Sequence, residues 1–272
     1  MLHKFSINKS DVNFTVEEAE IRPLSLWQSI FAFAIPALMM AISFHWGMPL
    51  LQGMGLTIFE SIVVVHTVPM ALLLMASLVM FHKVDGYPLT KESFSQRFRF
   101  PKLTAKAVVW GAAAFIVIMF GYGLFNAGSM IMLEQGWVSI PSSVPAFFNP
   151  QVPMTATTFA EMAGGQIVGN WSIIVLYSIM LFFNVVGEEL WWRGYILPRQ
   201  EVRYGRFAWV WHGLLWTSFH LFKWWDLLGL LPVCLVIAYV SQRTQNNWPA
   251  LIAHFLFNGL GLLVMIMAVA GI

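Results

Sequence analysis

The chain has 272 residues, of which 58% are hydrophobic and only 10% are charged. Soluble domains carry about 25% charged residues, so this composition excludes a surface that faces water throughout, and lipid must surround much of the protein. The length suits one bundle of spans of about 20 apolar residues each, and the predicted fold is therefore an all-α, polytopic transmembrane helical bundle. The net charge of +2 carries little information, and we expect no nucleic-acid partner.

The N-terminal residues 1–25 are polar and of mixed charge. They contain no apolar run of the length found in signal peptides, so we expect no cleaved leader. We predict that residues 1–25 form a cytoplasmic segment and that the first span acts as the targeting signal. Further along, Cys234 is the single cysteine, which excludes an intrachain disulfide and a cysteine-based zinc site.

Seven apolar segments follow, and each is interpreted as a membrane span. Residues 26–170 are assigned to N-terminal transmembrane helices and loops, and residues 171–272 to a C-terminal helical region. The fifth and sixth segments are short and are separated only by residues 223–226. The predicted limits are 26–50, 57–81, 104–126, 171–197, 207–223, 225–241 and 247–270.

The basic residues predict the orientation, because Lys and Arg are retained on the cytoplasmic side of a membrane. They cluster in residues 82–106, between spans four and five, and between spans six and seven. Seven spans with a cytoplasmic N-terminus place these three regions inside and leave only Lys223 outside. Residues 134–170 contain no Lys or Arg and are expected on the far face. We interpret them as a connecting loop with an interfacial piece, with a lid over a substrate entrance as the alternative.

Span four carries two adjacent carboxylates, Glu188 and Glu189, followed by Arg193. An ionisable group within a span costs roughly 2.5–3.5 kcal/mol on insertion scales, so each needs a partner or a function. Glu189 and Arg193 are four residues apart on one helix face and can pair. Glu188 lies about 100° around the helix from Glu189, so the arginine does not obviously reach it. One carboxylate is thus predicted to be structural, and the other is left free.

Two later spans carry polar groups at a similar depth. His220 lies in span five, and His254 and Asn258 share one helix face of span seven. At 1.5 Å per residue, Glu188, His220, His254 and Asn258 lie about 16, 20, 10 and 17 Å from the predicted cytoplasmic ends of their spans. We therefore expect these four side chains to meet at one level. His212, near the cytoplasmic end of span five, is interpreted as an interfacial or supporting residue.

This set of groups is typical of a hydrolytic site. Glu188 can take a proton from water, and His220 can hold or help to deprotonate that water. His254 and Asn258 can donate hydrogen bonds to the oxyanion of a tetrahedral intermediate. The same groups also resemble a zinc site of two histidines and one carboxylate, with Glu188, His220 and His254 as the metal ligands. Spacing does not separate the two chemistries, so the expected cofactor is either Zn²⁺ or none.

Three motifs carry a resemblance to a known family. Glu188-Glu189-Leu-Trp-Trp-Arg193 matches the EExxxR motif of the CAAX-prenyl-endopeptidase and bacteriocin-processing (CPBP, Abi) family of intramembrane proteases. The family's FxxxH motif is present as Trp216-Thr-Ser-Phe-His220, in which tryptophan replaces phenylalanine, and its HxxxN motif as His254-Phe-Leu-Phe-Asn258. The resemblance covers residues 171–270, which would then form the catalytic helical region.

The resemblance implies an intramembrane endopeptidase acting on a membrane-associated, and in the CAAX case prenylated, protein or peptide. It makes Glu188 the water-activating glutamate with His220, and His254 and Asn258 the oxyanion side. Glu189, Arg193 and Trp216 would support these four. Both a metal-free and a metal-dependent mechanism stay open.

The alternative is a non-catalytic membrane protein with the same polar cluster, such as a bacteriocin self-immunity factor, a scaffold or a transporter. A transporter would favour internal repeats and discontinuous helices, and the sequence indicates neither. A protein that has lost catalysis should also lack a main motif residue, and none is missing. We therefore expect proteolysis in a prokaryotic cell membrane, with membrane lipid and a peptide or protein substrate as partners.

Overall fold

The computed structural model describes residues 21–272, so most of the predicted N-terminal segment, residues 1–20, lies outside the described residues. The described part contains helices and no β-strand, which confirms the predicted all-α fold. The α-helices are α1 (Leu26–Ile42), α2 (Met48–Gly53), α3 (Ile58–Val79), α4 (Lys91–Arg97), α5 (Ala105–Glu134), α6 (Ala156–Met162), α7 (Ser172–Glu188), α8 (Leu197–Tyr204), α9 (Ala208–Phe219), α10 (Leu227–Thr244) and α11 (Trp248–Ala270). Three π-helical segments, Ser43–Gly47, Met80–Val84 and Glu189–Ile196, and three 3₁₀ segments, Ala146–Phe148, Gly205–Phe207 and His220–Asp226, join them.

Local sequence fixes where the first long helices begin. Ser25 caps α1, and its partner in a capping box is Gln28, so two orphan backbone donors of the first turn are satisfied. Thr57 and Glu60 form the same arrangement at the start of α3. Both caps stand directly before an apolar run, which is why the predicted span limits agree with the observed starts to within one residue.

Within residues 21–272, five stretches are long and apolar enough to cross a membrane, against about seven predicted spans. The fourth stretch, Ser172–Thr244, has 73 residues and contains α7, α8, α9 and α10. The predicted fifth span, residues 207–223, contains only the 12 residues of α9 as α-helix. Twelve residues extend about 18 Å, less than the bilayer core of about 30 Å, so α9 alone does not cross it.

The backbone departs from α-helix directly after α9. The 3₁₀ segment His220–Asp226 continues the chain, with non-helical angles at Lys223 (φ −130, ψ 60). The expectation of no discontinuous helix was therefore wrong at this point. Sequence analysis placed the boundary at residues 223–226 and so ended the helix a few residues too late, because Leu221 and Phe222 continue the apolar run. The break places His220 at the C-terminal end of α9 instead of within a continuous span.

The helices that carry the motifs pack against both the N-terminal helices and one another. α7 packs on α3 and α11, whereas α10 packs on α5 and α9, and α11 also contacts α5. In lipid, such packing depends on close backbone approach, which small residues permit. Gly187, next to Glu188, is the clearest case, since a Cβ at this position would collide with the backbone carbonyl of Met70 in α3.

One end of the bundle is held by buried charges. Asp85 forms ion pairs with Arg97 and Arg199, and Arg97 also donates to the carbonyl of Gly194 at 2.8 Å. The guanidinium of Arg199 lies 3.8 Å from the ring centroid of Tyr195. These contacts attach the end of α4 to the π-helical segment that follows Glu188, so the loop of residues 85–104 supports the motif-bearing region.

We predict that Gly187→Ala lowers the free energy of unfolding by about 1–3 kcal/mol, the usual cost of overpacking. The obstacle is the backbone carbonyl of Met70, which cannot move aside as a flexible side chain could. The measurement is an SDS titration of the purified protein in detergent micelles. Gly123→Ala in α5 is the matched control, because a Cβ there meets nothing within 4 Å. Equal stability of the two variants would contradict the prediction.

Candidate functional site

Glu188 is the last residue of α7, and its side chain is buried, with 2% exposure. Its Oε1 accepts a hydrogen bond of 2.7 Å from Asn184 Nδ2, one turn earlier on α7. Its Oε2 accepts one of 2.7 Å from Trp216 Nε1 on α9. Arg193 does not pair with it, as predicted from the helix geometry. The carboxylate is not free of partners, however, because a neutral donor holds each oxygen in place.

Glu189, the next residue, is fully buried and has a different set of partners. Arg193 donates to both of its oxygens, with Nε at 2.8 Å from Oε2, and the two side chains form the ion pair expected from their spacing. His254 Nδ1 lies 2.7 Å from Glu189 Oε1. The Arg193 guanidinium also stacks on Trp216, 3.9 Å from the centroid of its ring, so the pair touches α9 as well as α11.

Asn184 and Asn258 connect the two glutamates. Asn258 Nδ2 donates to Asn184 Oδ1 at 2.6 Å and to His254 Nε2 at 3.1 Å. A continuous chain of hydrogen bonds thus runs from Glu188 through Asn184, Asn258 and His254 to Glu189. The contact with a carboxylate assigns the His254 proton to Nδ1, so Nε2 is an acceptor in this state. Sequence analysis did not place Asn184 among the site residues, and its position one turn before Glu188 was the only available signal.

His220 joins the site without a direct hydrogen bond to Glu188. Its Nδ1 donates to the carbonyl of Trp216 at 2.9 Å, which fixes the tautomer and leaves Nε2 as a lone-pair acceptor. No side chain or backbone group among residues 21–272 bonds to this Nε2. The α-helix ends at the preceding residue, so the ring lies at the start of the 3₁₀ segment.

These groups line one cavity of about 370 Å³. Glu188, His220, His254 and Asn258 all contribute to its wall, as expected from their similar predicted depth, together with Asn184 and Trp216. The rest of the wall is mostly apolar or aromatic, including Met40, Met70, Leu181, Phe219 and Val233. A small polar cluster in an apolar cavity is typical of a site that binds and orients an apolar ligand.

Residues of the long polar stretch 134–170 close one part of this cavity. Phe147 and Phe148, from the 3₁₀ segment, line the wall, and Phe148 stacks on His66 with ring centroids 5.3 Å apart. Trp225 Nε1 donates to the Phe148 carbonyl at 2.8 Å. The stretch contributes wall residues to the cavity, so it is more than a connection between helices.

The remaining polar residues of the spans lie elsewhere or serve in packing. His212 is fully buried, not interfacial, and its Nδ1 lies 2.6 Å from Gln200 Oε1. His45 contacts the carbonyl of Phe222 at 2.9 Å. Cys234 is a buried thiol in the cavity wall. None of these three joins the hydrogen-bond chain between the glutamates.

The arrangement does not fit a zinc ion on Glu188, His220 and His254. Across residues 21–272, no group of three or more His, Cys, Asp or Glu side chains is placed to hold a metal ion. Glu188 and His220 would supply two ligands at most, because His254 has one ring nitrogen on Glu189 and the other on Asn258. The metal-free alternative is therefore the one that we develop.

Comparison with known proteins supports the motif assignment. Residues 170–260 match the family model described as type II CAAX prenyl endopeptidase Rce1-like. Neither a curated protein nor a solved structure matches the chain. Together with the apolar helices, this match establishes an integral membrane protein, with lipid around it. The chain is thus similar to this family over residues 170–260, the region of the three motifs, which supports the resemblance that they indicated.

Proposed function

We propose that the protein is an intramembrane endopeptidase that hydrolyses a peptide bond of a membrane-associated protein or peptide with water activated by Glu188 and His220. The observation that carries this proposal is the buried Glu188 carboxylate, which shares one cavity with the unpartnered His220 Nε2. Hydrolysis needs a base beside a water molecule and polar donors near the developing oxyanion. The family match over residues 170–260 supports the same reaction class.

Water activation follows from the hydrogen bonds of the two side chains. Each Glu188 oxygen accepts one protein donor and keeps a second lone-pair direction for water. His220 presents Nε2 as an acceptor because its Nδ1 proton is held by the Trp216 carbonyl. A water molecule between them can lose a proton to one group while the other holds it in position. The proton is then available for the leaving amine.

The oxyanion side consists of His254 and Asn258. The Glu189 carboxylate on His254 Nδ1 orients the ring, as a carboxylate does in a hydrolase triad. His254 Nε2 accepts from Asn258 Nδ2 at 3.1 Å and so holds that amide in the cavity wall. The amide can turn this N–H bond to the oxyanion as it forms. In this scheme Arg193 keeps Glu189 charged and in place.

The setting limits the substrate to molecules that reach membrane depth. The apolar wall of the cavity suits an extended, lipid-anchored peptide, including a prenylated peptide of the CAAX type. We infer a prokaryotic cell membrane as the setting, and the basic loops favour an N-terminus in the cytoplasm.

We predict that Glu188→Gln lowers cleavage by about 10²–10⁴-fold, the usual contribution of a general base. The glutamine keeps the size of the side chain and acceptor capacity at one oxygen, so insertion and folding should persist. Comparative proteomics of membrane peptides, with wild type and variant expressed, identifies the substrate, and the purified proteins then give the rates.

Glu161→Gln is the control for that variant, because Glu161 is exposed on α6 and lies away from the cavity. It should cleave at the wild-type rate. Full activity of Glu188→Gln would overturn the mechanism. If no peptide bond is cleaved by the wild type, the alternative of a bacteriocin self-immunity protein or a scaffold would be favoured.

Trp216→Phe is predicted to lower kcat by about 10- to 100-fold with little change in KM. Phenylalanine restores the residue of the family motif and keeps an aromatic ring under Arg193, but it cannot donate to Glu188. A hydrogen bond to a charged group contributes about 1.5–3 kcal/mol, and each 1.4 kcal/mol is about tenfold in rate.

The matched control is Trp192→Phe, since Trp192 is equally buried and its Nε1 has no partner in the described part of the chain. Trp192→Phe removes the same part of an indole ring as Trp216→Phe does, but it breaks no hydrogen bond. Steady-state kinetics of both variants should show a loss of kcat for Trp216→Phe alone. Equal losses in the two would show that only packing was disturbed.

Chelation is predicted to leave the rate unchanged, because both ring nitrogens of His254 are engaged and no group of three ligands is placed to hold a metal ion within residues 21–272. The measurement is a 1,10-phenanthroline titration of the purified, active protein, with metal analysis of the same sample. Loss of activity that added Zn²⁺ restores would contradict the metal-free mechanism.

A further inference from the structure

His66 is a polar side chain of the cavity wall to which the proposed hydrolysis gives no part. It lies on α3 and lines the same cavity as Glu188 and His220. Its ring stacks on Phe148, with ring centroids 5.3 Å apart and an interplanar angle of 5°, and meets Phe44 edge-on at 6.4 Å. These two contacts fix the plane of the imidazole, so its two nitrogens have set directions.

The hydrogen bonds of His66 leave one of these nitrogens free. Its Nδ1 donates to the carbonyl of Ile62, one turn earlier on α3, at 3.1 Å. A carbonyl only accepts, so the proton is on Nδ1, and Nε2 of the neutral ring carries a lone pair. No group within residues 21–272 bonds to Nε2, and this nitrogen is not sealed inside the protein. The cavity wall thus holds an acceptor without a partner.

Such an acceptor at membrane depth needs a donor from outside the chain. A polar group that leaves water without a replacement hydrogen bond is unfavourable, and lipid tails supply no donor. The aromatic rings packed on His66 supply none for this nitrogen either. Water in the cavity or a bound molecule is left as the source. A bound molecule would present an N–H or O–H group to Nε2, because a carbonyl or a carboxylate would be repelled by the lone pair.

A peptide that is hydrolysed in this cavity brings such donors in its own backbone. Every residue except proline carries one N–H group, and a buried N–H group without an acceptor is unfavourable. Most of the cavity wall is apolar or aromatic, so few wall groups can accept. The free nitrogen of His66 therefore matches a requirement that any bound peptide has.

Phe222 relates His66 to the groups that we assign to hydrolysis. The centroid of its ring lies 6.1 Å from that of His66 and 6.1 Å from that of His220. The two imidazoles are therefore at most twice this distance apart. An extended peptide rises about 3.3 Å per residue and covers that length in about four residues. An N–H group on His66 would thus be close in sequence to the bond that is cleaved.

We infer that His66 Nε2 accepts a hydrogen bond from one backbone N–H group of the substrate, within about four residues of the scissile bond. This inference rests on the proposed endopeptidase function and adds a substrate-binding residue to the same site. The contact fixes the register of an extended peptide against Glu188 and His220. It is independent of the substrate's side chains, because every peptide offers the same donor.

The test uses a farnesylated peptide of the CAAX type and seven forms of it. Each form has an ester in place of one of the last seven backbone amides, which removes a single N–H group and keeps the side chains. The full-length Glu188→Gln protein in detergent micelles binds without turnover, and fluorescence anisotropy gives the Kd of each form. The protein with Glu188 intact gives the cleavage rate of the all-amide peptide.

We expect one ester form to bind about five- to tenfold more weakly than the all-amide peptide, the loss of one hydrogen bond to a buried acceptor. His66→Asn, made in the Glu188→Gln protein, should bind the all-amide peptide more weakly and bring the ratio of the two Kd values to about one. Its amide takes the place of Nδ1 and can still donate to Ile62, but nothing takes the place of Nε2. His66→Gln puts an amide oxygen near the position of Nε2 and should restore the ratio.

His82→Phe is the matched control and should leave the ratio unchanged. The Nδ1 of His82 also bonds to a backbone carbonyl, that of Tyr87 at 3.0 Å, but the residue lies outside the cavity. If His66→Asn does not fold, His66→Phe keeps a ring to stack on Phe148 and should give the same ratio of about one.

Three results would overturn the inference: no binding of the all-amide peptide, equal binding of all eight forms, or an unchanged ratio in the His66→Asn or His66→Phe protein. Binding that depends on His66, without cleavage by the protein that retains Glu188, would instead count against the proposed function. The two failures are therefore distinguishable.

Discussion

A carboxylate at membrane depth must be neutralised by protein groups, because the lipid around it supplies neither water nor a counter-ion. In this chain Arg193 neutralises Glu189, and neither side chain is exposed. The pair then needs further neighbours, since two buried charges are costly unless their surroundings compensate them. Trp216 from α9 stacks on the guanidinium, and His254 from α11 contacts the carboxylate. Compensation of this charge therefore attaches α9 and α11 to the end of α7, where Glu188 also lies.

Two adjacent glutamates thus have different environments. The chain changes from α-helix to π-helix between Glu188 and Glu189, and such segments occur frequently at functional sites. Glu188 receives two neutral donors, whereas Glu189 receives a guanidinium and an imidazole. The first arrangement leaves a carboxylate that can accept a proton, and the second ties a carboxylate to a positive charge. Glu188 and Glu189 are the same residue type, so their different roles follow from the side chains around them.

Sequence analysis predicted the helical class, the positions of the apolar runs and the partner of Glu189, because hydropathy and a spacing of four residues determine these features. It did not predict the hydrogen bond from Trp216 to Glu188, which joins two helices, whereas the spacing of four residues already placed Asn184 beside Glu188. Tryptophan stands where the family motif has phenylalanine, and the structure shows that it adds a hydrogen-bond donor. The end of α9 was placed a few residues too late, because the apolar run extends to Phe222.

That early end of α9 has a further consequence for the solvent of the cavity. Irregular backbone at membrane depth is tolerated where it is buried in protein or lines a water-filled cavity, and the 3₁₀ segment that begins at His220 lines this cavity. We therefore expect water in part of the cavity before any peptide enters. Water is itself a reactant in hydrolysis, and the bilayer otherwise excludes it. The break after α9 thus favours water, one of the two reactants, at the part of the cavity wall where the substrate binds.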